Sequence, residues 1–288
     1  MLKTKHSTKN CFFVGGAART GTTLMQSILC SDKTTNPLIS EAAPVRFLLE
    51  TYNKLKLNYE RFPGMYFDSI KELNRYYNLM LTNLFNNLSR KYSCKNIVLK
   101  EPQLTKFFPL LSVLLEDKVR FICMVRDPRD AISSMIVWGE KMQERGIKHF
   151  FQNRDMEELS KFYNEFYIPL FKSNNPEFMN KIKFVKYEDL VTNPRKIINE
   201  LREFTNLELK EYNPNSNWVK TKLNFSDEKL PIRDAITELY GKPISSSKIN
   251  SFQKILSEEE IDIIEKKCFL VLRKFGYKKY LDIKIIKL

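Results

Sequence analysis

The chain has 288 residues, of which 43% are hydrophobic and 12% aromatic; this composition is typical of a globular protein and excludes an intrinsically disordered one. Its formal net charge of +14 favours anionic ligands, but the charge alone fits nucleic acid, acidic membranes, nucleotides and acidic peptides equally well. Five scattered cysteines and two widely separated histidines argue against a disulfide framework, a zinc site and a Ser–His–Asp triad.

The beginning of the sequence carries no signal for export or membrane insertion. A basic start is followed by the apolar run CFFVGG, which is too short for the core of a signal peptide. No uninterrupted apolar stretch approaches the ~20 residues that a membrane-spanning helix needs. We therefore expect a cytoplasmic protein that folds as a single domain over residues 1–288.

Short apolar runs alternate with helical patterns along the chain, which is typical of a layered α/β fold. The runs that predict strands cover residues 11–15, 96–99, 119–125 and 183–187. Near-continuous apolar stretches such as FICMV indicate parallel strands that are covered on both faces. We predict a mainly parallel central sheet flanked by helices, similar to the architecture of P-loop nucleotide kinases.

Three segments stand apart from this alternation. Residues of about 45–90 predict a helical insertion with a break around 62–64, and residues of about 140–175 predict a second insertion. The polar segment of about 206–250 predicts a loop that acts as a lid. After it, Ser257 and the acidic residues that follow predict a helix that continues to about Lys274 and ends at Gly276.

The strongest motif is GAARTGTT at residues 16–23, which follows a predicted strand and opens a predicted helix. Glycines five residues apart allow a tight turn whose N–H groups converge on an anion at the helix N-terminus. An NTP-binding loop reads GxxxxGK[ST]; here Thr22 replaces the lysine, and the cation is Arg19 inside the loop. This departure favours a terminal phosphosulfate group over the phosphates of ATP. The candidate anion-binding residues are Arg19, Thr20, Gly21, Thr22 and Thr23.

The stretch FVGGAARTGTTLMQSIL resembles the 5'-phosphosulfate loop of sulfotransferases that use 3'-phosphoadenosine 5'-phosphosulfate (PAPS), and it looks closest to the branch of tyrosylprotein sulfotransferases and their bacterial relatives. The segment MVRDPRDAISSM resembles the part of that family that holds the 3'-phosphate with an arginine and a serine. The resemblance therefore assigns Arg126 and Ser134 to the 3'-phosphate. Arg129, with Asp127 and Asp130 beside it, is predicted to form local salt bridges.

Five further residues are assigned through the same resemblance. Tyr187, in KYEDL, is expected to face the nucleotide, and Lys100, in LKEP, to neutralise charge on the leaving phosphate. Glu41 follows the phosphate-loop helix where tyrosylprotein sulfotransferases carry their base, although a helix-capping role remains an alternative. Ser247 and Lys248, in PISSSKIN, resemble the late loop that closes over the nucleotide.

The resemblance implies a sulfotransferase that uses PAPS as donor, releases 3',5'-adenosine bisphosphate (PAP) and requires no metal. A peptide tyrosine in an acidic sequence is the favoured acceptor, with a carbohydrate or small alcohol as alternatives, and the two insertions are expected to select it. We expect neither nucleic acid nor a membrane as partner, while a homodimer is compatible with the sequence. Two other functions stay open at this point: a P-loop small-molecule kinase, against which Thr22 argues, and a non-catalytic polyanion-binding protein.

Overall fold

The computed structural model describes residues 9–61, 63–210, 212–213, 239 and 241–280, so most of the predicted lid lies outside the described residues. The strands within this part of the chain are β1 (Asn10–Gly15), β2 (Asn96–Lys100), β3 (Val119–Val125) and β4 (Ile182–Lys186). The helices are α1 (Thr22–Cys30), α2 (Ala43–Leu57), α3 (Ile70–Tyr92), α4 (Phe108–Leu115), α5 (Pro128–Glu144), α6 (Met156–Glu165), α7 (Ile168–Phe171), α8 (Pro176–Lys181), α9 (Tyr187–Thr192), α10 (Pro194–Thr205), α11 (Glu258–Lys267) and α12 (Phe269–Lys274).

The four strands form one parallel sheet in the order β2-β1-β3-β4. Val14 lies opposite Lys100, and Val125 lies opposite Lys186, so the strands end at a common edge. From β1 the chain first adds β2 on one side and later adds β3 and β4 on the other. The loops after β1 and β3 therefore face a point where the strand order reverses, which is where open α/β sheets bind ligands.

The sheet is covered on both faces because side chains alternate along each strand. Phe13 and Phe121 face a core built largely by α2 to α6, where their rings lie 6.0 Å apart. Phe12 and Ile122 face the opposite core, which α1, α9 and α10 complete. The prediction of a mainly parallel sheet between two helical layers is confirmed.

Element boundaries follow the sequence with small differences. The third predicted strand is β3 without change, whereas β4 ends one residue earlier than predicted, so that Tyr187 begins α9. The late helix begins as predicted, because Ser257 and Glu260 form a capping box. It is divided at Cys268 into α11 and α12, and Gly276 follows with φ of 67°.

The predicted insertion at 45–90 consists of α2 and α3, joined through a short 3₁₀ turn, Pro63–Met65. The second insertion begins within the end of α5 and includes α6 and α7. None of the helices in the described ranges is long and apolar enough to cross a lipid bilayer.

The outer edge of β2 is covered by the chain between α1 and α2. The oxygen of Thr34 accepts hydrogen bonds from the N–H groups of Lys95 and Asn96, at 3.0 Å each. The buried side chain of Asn36 pairs with both backbone groups of Val98, accepting at 2.6 Å and donating at 3.1 Å. This amide therefore replaces a neighbouring strand at the edge of the sheet.

Replacing Asn36 with leucine is expected to lower the free energy of unfolding by about 2–4 kcal/mol, because two buried backbone groups lose their partner while the volume stays similar. Urea denaturation of the variant measures this loss. Asn58, which is exposed and donates to the oxygen of Lys54, supplies the matched control. Its leucine variant should change stability by no more than about 0.5 kcal/mol, and an equal loss in both variants would contradict the assigned role.

Candidate functional site

Each strand delivers a candidate residue to the same edge of the sheet. The loop of residues 16–21 follows β1, and Lys100 is the last residue of β2. Arg126 and Tyr187 directly follow β3 and β4. Because parallel strands end together, residues that are widely separated in sequence lie along one edge of the sheet.

The loop after β1 has an unusual backbone. Gly16 and Gly21 have φ values of 123° and 89°, and Arg19 also lies in the left-handed region at 67°. A Cβ atom at Gly16 would lie 2.2 Å from the carbonyl oxygen of Met124, so no larger residue fits there. The left-handed conformation of Arg19 is strained, which is common where a side chain must point into a binding site.

The first N–H groups of the loop bind the protein itself. Gly16 donates to Thr105 Oγ1 at 2.7 Å, and Ala17 donates to the hydroxyl oxygen of Tyr167 at 3.1 Å. Thr20 is fully buried and its hydroxyl donates to the oxygen of Ala17 at 2.7 Å. The hydroxyl of Thr20 is therefore used inside the loop.

The threonines that follow the loop occupy different surroundings. Thr22 and Thr23 are the first residues of α1; Thr22 is buried, whereas Thr23 is partly exposed. They stand at the positive end of the helix, where an anion is stabilised by the helix dipole and the N–H groups of the first turn.

The side chains of Arg19 and Arg126 converge. Arg19 Nε donates to Ser134 Oγ on α5 at 3.3 Å, and Arg126 Nη1 donates to the carbonyl oxygen of Arg19 at 3.1 Å. Burial lowers the pKa of the Arg19 guanidinium to about 10, and the positive charge of Arg126 contributes in the same direction. The residues that the sequence assigned to the two ends of a nucleotide thus form one basic cluster.

Arg126 is held against the ring of Tyr187. Its Cζ atom lies 4.7 Å from the ring centroid, and only 4% of the residue is exposed. The same ring packs on Gly21, where a Cβ atom would lie 2.8 Å from Cδ2 of Tyr187. Arg126 Nε is buried and has no hydrogen-bond partner among the described residues, so the guanidinium retains a donor for an anionic ligand.

The late loop approaches this cluster through its backbone. The carbonyl oxygen of Lys248 accepts a hydrogen bond from Arg126 Nη2 at 2.6 Å. The residues Ser247 and Lys248 are exposed, and Ser247 Oγ accepts from the hydroxyl of Ser245 at 3.0 Å. The structure brings this segment to Arg126 through a main-chain contact.

Asp130 anchors the late loop to α5. Its carboxylate accepts hydrogen bonds from the N–H groups of Asn250 and Phe252, at 2.8 and 3.0 Å, and from the hydroxyl of Ser251 at 3.1 Å. Burial raises the pKa of Asp130, and the neighbouring Arg126 opposes this shift. The loop position thus depends on one buried carboxyl group.

Arg129 has one of its predicted partners and one that the sequence did not suggest. It pairs with Asp127 and with Glu265 of α11, at 2.5 Å each. The expectation that Asp130 shares this role is wrong, because Asp130 binds the late loop. Arg129 is 1% exposed, so it joins α5 to α11 and lies away from solvent.

Glu41 and Lys100 form an ion pair at the end of β2, with 2.7 Å between Oε1 and Nζ. The N–H of Ala42 donates to the oxygen of Lys100 at 3.0 Å, which fixes Glu41 beside the strand. The Lys100 side chain is 9% exposed and that of Glu41 53%, so only the carboxylate reaches the solvent side. Glu41 therefore combines a cationic neighbour with an accessible oxygen.

Glu101 and Arg46 flank this pair. Glu101 Oε1 accepts from the N–H of Gln103 at 3.3 Å, and the residue caps the 3₁₀ turn Pro102–Phe107. Burial, and secondarily the charge of Glu41, raises the pKa of Glu101. Arg46 pairs with Glu50 at 2.9 Å along α2.

Sequence reasoning did not identify several residues that shape the site: Thr105, Asp130, Tyr163 and Tyr167. The two tyrosines are four residues apart, a spacing that in sequence is also typical of the buried face of a helix. Their contacts with the loop and with β3 depend on tertiary structure, and no local signal separates them from core residues.

Comparison with known proteins gives a consistent result. The family model described as "Sulfotransferase family" matches residues 11–211. The fold is similar to the sulfotransferase domain of the olefin synthase of Synechococcus PCC 7002, at 17% identity and a TM-score of 0.56, over 95% of this chain and 97% of that domain. It is also similar to the sulfotransferase domain of the curacin biosynthetic pathway, at 16% identity and a TM-score of 0.55, over 95% and 99%. No curated protein sequence gives a significant match.

The match to the family model extends over more than half of the sequence and includes the phosphate loop, Arg126 and Tyr187. The chain belongs to the sulfotransferase family, and it is accordingly an enzyme of sulfuryl transfer. This membership argues against both the kinase and the non-catalytic polyanion-binding protein.

Replacing Asp130 with alanine is expected to release the late loop. The backbone amides of Asn250 and Phe252 should exchange with deuterium about tenfold faster or more, since hydrogen bonds to a charged group contribute about 1.5–3 kcal/mol each. Hydrogen–deuterium exchange followed by mass spectrometry measures this change.

The matched control for this exchange measurement is Asp155→Ala, which removes a carboxylate that accepts from the N–H groups of Glu157 and Glu158 at the start of α6. It should leave exchange at residues 250 and 252 unchanged. Unaltered exchange there in Asp130→Ala would contradict the anchoring role.

Proposed function

We propose that this sulfotransferase transfers the sulfuryl group of PAPS to an acceptor hydroxyl and releases PAP. The observation that carries the proposal is the convergence of Arg19, Arg126 and Ser134 at the carboxyl-end edge of the sheet. A nucleotide that carries charge at both its 3' and 5' ends can present one anionic group to each of the two arginines.

The electrostatics of the cluster support an anionic donor. Two neighbouring guanidinium groups repel one another, and the lowered pKa of Arg19 reflects burial together with this repulsion. An anion between them removes the repulsion and provides an acceptor for the buried Nε of Arg126. In this assignment the 3'-phosphate lies at Arg126 and Ser134, and the phosphosulfate lies at residues 19–23.

Other residues of the assigned site surround the nucleotide. The ring of Tyr187 packs against the Arg126 guanidinium. The late loop with Ser247 and Lys248 closes the side of the site that takes the 3'-phosphate. The N–H groups of the first turn of α1, with Thr22 and Thr23, hold the other end. Cations from side chains and N–H groups supply the positive charge, so the scheme requires no metal.

Glu41 and Lys100 are the proposed catalytic pair. Bound PAPS supplies a sulfuryl group activated by its phosphate leaving group. Glu41 accepts the proton of the acceptor hydroxyl while the oxygen of that hydroxyl forms its bond to sulfur. Lys100 and Arg19 neutralise the negative charge that develops on the phosphate oxygen as the bond between that oxygen and sulfur breaks. The ion pair orients the Glu41 carboxylate before the acceptor arrives.

The favoured acceptor is a tyrosine in an acidic peptide, with a carbohydrate or small alcohol as alternatives. The accessible carboxylate of Glu41 lies beside the start of α2, where an extended acceptor can pass along the insertion. The net charge of +14 favours acidic flanking residues. Arg46 is paired with Glu50, so an acidic acceptor would compete with that carboxylate for it.

The donor assignment predicts that the enzyme binds PAP more tightly than ATP with magnesium. Isothermal titration calorimetry compares the two, and Arg19→Ala and Arg126→Ala should each weaken PAP binding about tenfold to a thousandfold, as expected for lost charge-assisted hydrogen bonds. Arg120→Ala is the control, because Arg120 lies near the opposite end of β3. Tighter binding of ATP with magnesium, or equal effects at Arg120, would refute the donor assignment.

The catalytic assignment predicts that Glu41→Gln and Lys100→Met lower kcat about a hundredfold or more, while binding of PAP to Glu41→Gln changes little. Mass spectrometry of an acidic tyrosine peptide, an oligosaccharide and a small alcohol, each incubated with PAPS, measures the gain of a sulfuryl group. Glu60→Gln, an exposed change on the insertion, serves as the control. Full transfer by Glu41→Gln would exclude Glu41 as the base, whichever acceptor reacts.

A further inference from the structure

Two tyrosines of the second insertion extend from its helices to the donor site. Tyr163 lies in α6, and Tyr167 precedes α7 by one residue. Both are fully buried, and their ring centroids lie 4.9 Å apart. Because they are one helical turn apart, both rings lie on the same side of the insertion.

The hydroxyl of Tyr167 joins the phosphate loop to β3. It accepts from the N–H of Ala17 at 3.1 Å and donates to the oxygen of Met124 at 2.9 Å. Met124 is also the residue whose oxygen approaches Gly16 too closely for any side chain there. The phenol therefore links the loop that carries Arg19 to the strand that precedes Arg126, at the place where the two lie closest together.

The hydroxyl of Tyr163 binds the other arginine-bearing segment, at Arg126. It donates to the carbonyl oxygen of Arg126 at 2.6 Å, so it fixes the backbone from which that guanidinium extends. Burial raises the pKa of both phenols, and each therefore keeps the proton that it donates. The hydroxyls of both tyrosines thus bind backbone atoms of the two arginine-bearing segments.

We propose that Tyr163 and Tyr167 are positioning residues that set the separation of the two anion-binding arms, Tyr163 through the 3'-phosphate arm at Arg126 and Tyr167 through the 5' arm at residues 16–23. This inference rests on the proposed donor assignment. It gives the second insertion a role in donor binding, in addition to the acceptor selection expected from the sequence.

Removing each of the two hydroxyls is expected to change the affinities for two probes differently. PAP carries a 3'- and a 5'-phosphate, whereas adenosine 5'-monophosphate (AMP) carries only the 5'-phosphate. Tyr167→Phe should weaken binding of both PAP and AMP about tenfold, which corresponds to about 1.4 kcal/mol. Tyr163→Phe should weaken binding of PAP about tenfold and leave binding of AMP within about twofold of the wild type.

The matched control is Tyr52→Phe. Tyr52 is 1% exposed and its hydroxyl donates to Asn74 Oδ1 at 2.6 Å, within the first insertion and away from the donor site. Its variant loses a buried phenolic hydrogen bond as the other two do, so its thermal stability should fall by a similar amount. Its affinity for both probes should stay at the wild-type value.

Calorimetry at a temperature where all variants are folded measures the affinities of the four proteins, wild type included, for the two probes. Equal affinity in Tyr163→Phe, Tyr167→Phe and wild type would overturn the inference, as would equal losses for PAP and AMP in Tyr163→Phe. Failure of both variants to fold while Tyr52→Phe folds would also overturn it, since the tyrosines would then serve the scaffold. If wild type itself does not bind PAP, the donor assignment fails instead.

Discussion

Two guanidinium groups of like charge lie together at one edge of the sheet, and the remaining site residues either hold them there or limit their repulsion. Arg126 is fixed by the carbonyl oxygens of Arg19 and Lys248 and by the ring of Tyr187. In this position Arg19 has a left-handed backbone conformation, and the pKa of its guanidinium is lowered. Such an arrangement is unfavourable in isolation and becomes more favourable when an anion binds between the two guanidinium groups.

The charges around the cluster are paired so that its positive potential stays local. Arg129 is neutralised by Asp127 and Glu265, and Glu188 accepts from the N–H of Asp127 and the hydroxyl of Tyr277. Burial raises the pKa of Glu188, which favours a structural role for this carboxyl group. The frame thereby joins α5, α9 and the C-terminal helices near Arg126, while the carboxylate of Asp130, which neighbours Arg126, binds the late loop.

The sequence was informative wherever a local pattern determines the structure. Apolar runs predicted all four strands, and the glycine spacing predicted the tight turn between β1 and α1, because tight turns and buried strands leave residue-level signatures. Contacts between residues far apart in sequence left no such signature. Glu265 is 136 residues from Arg129, and the hydroxyl of Tyr163 reaches the carbonyl oxygen of Arg126 only in the folded chain. The start of α9 at Tyr187 was also missed, since a strand and a following helix with no intervening loop share one continuous pattern.

The fold fixes the position of Glu41, which the spacing of residues in the sequence does not determine. Counting residues from the loop of residues 16–21 does not by itself fix the position of Glu41 in three dimensions. In the structure the chain of residues 34–42 follows the edge of β2, bound at Thr34, Asn36 and Ala42. Because the last of these bonds ends on the oxygen of Lys100, the carboxylate is placed next to the amine. The distance within the proposed catalytic pair is therefore set by backbone register along a sheet edge.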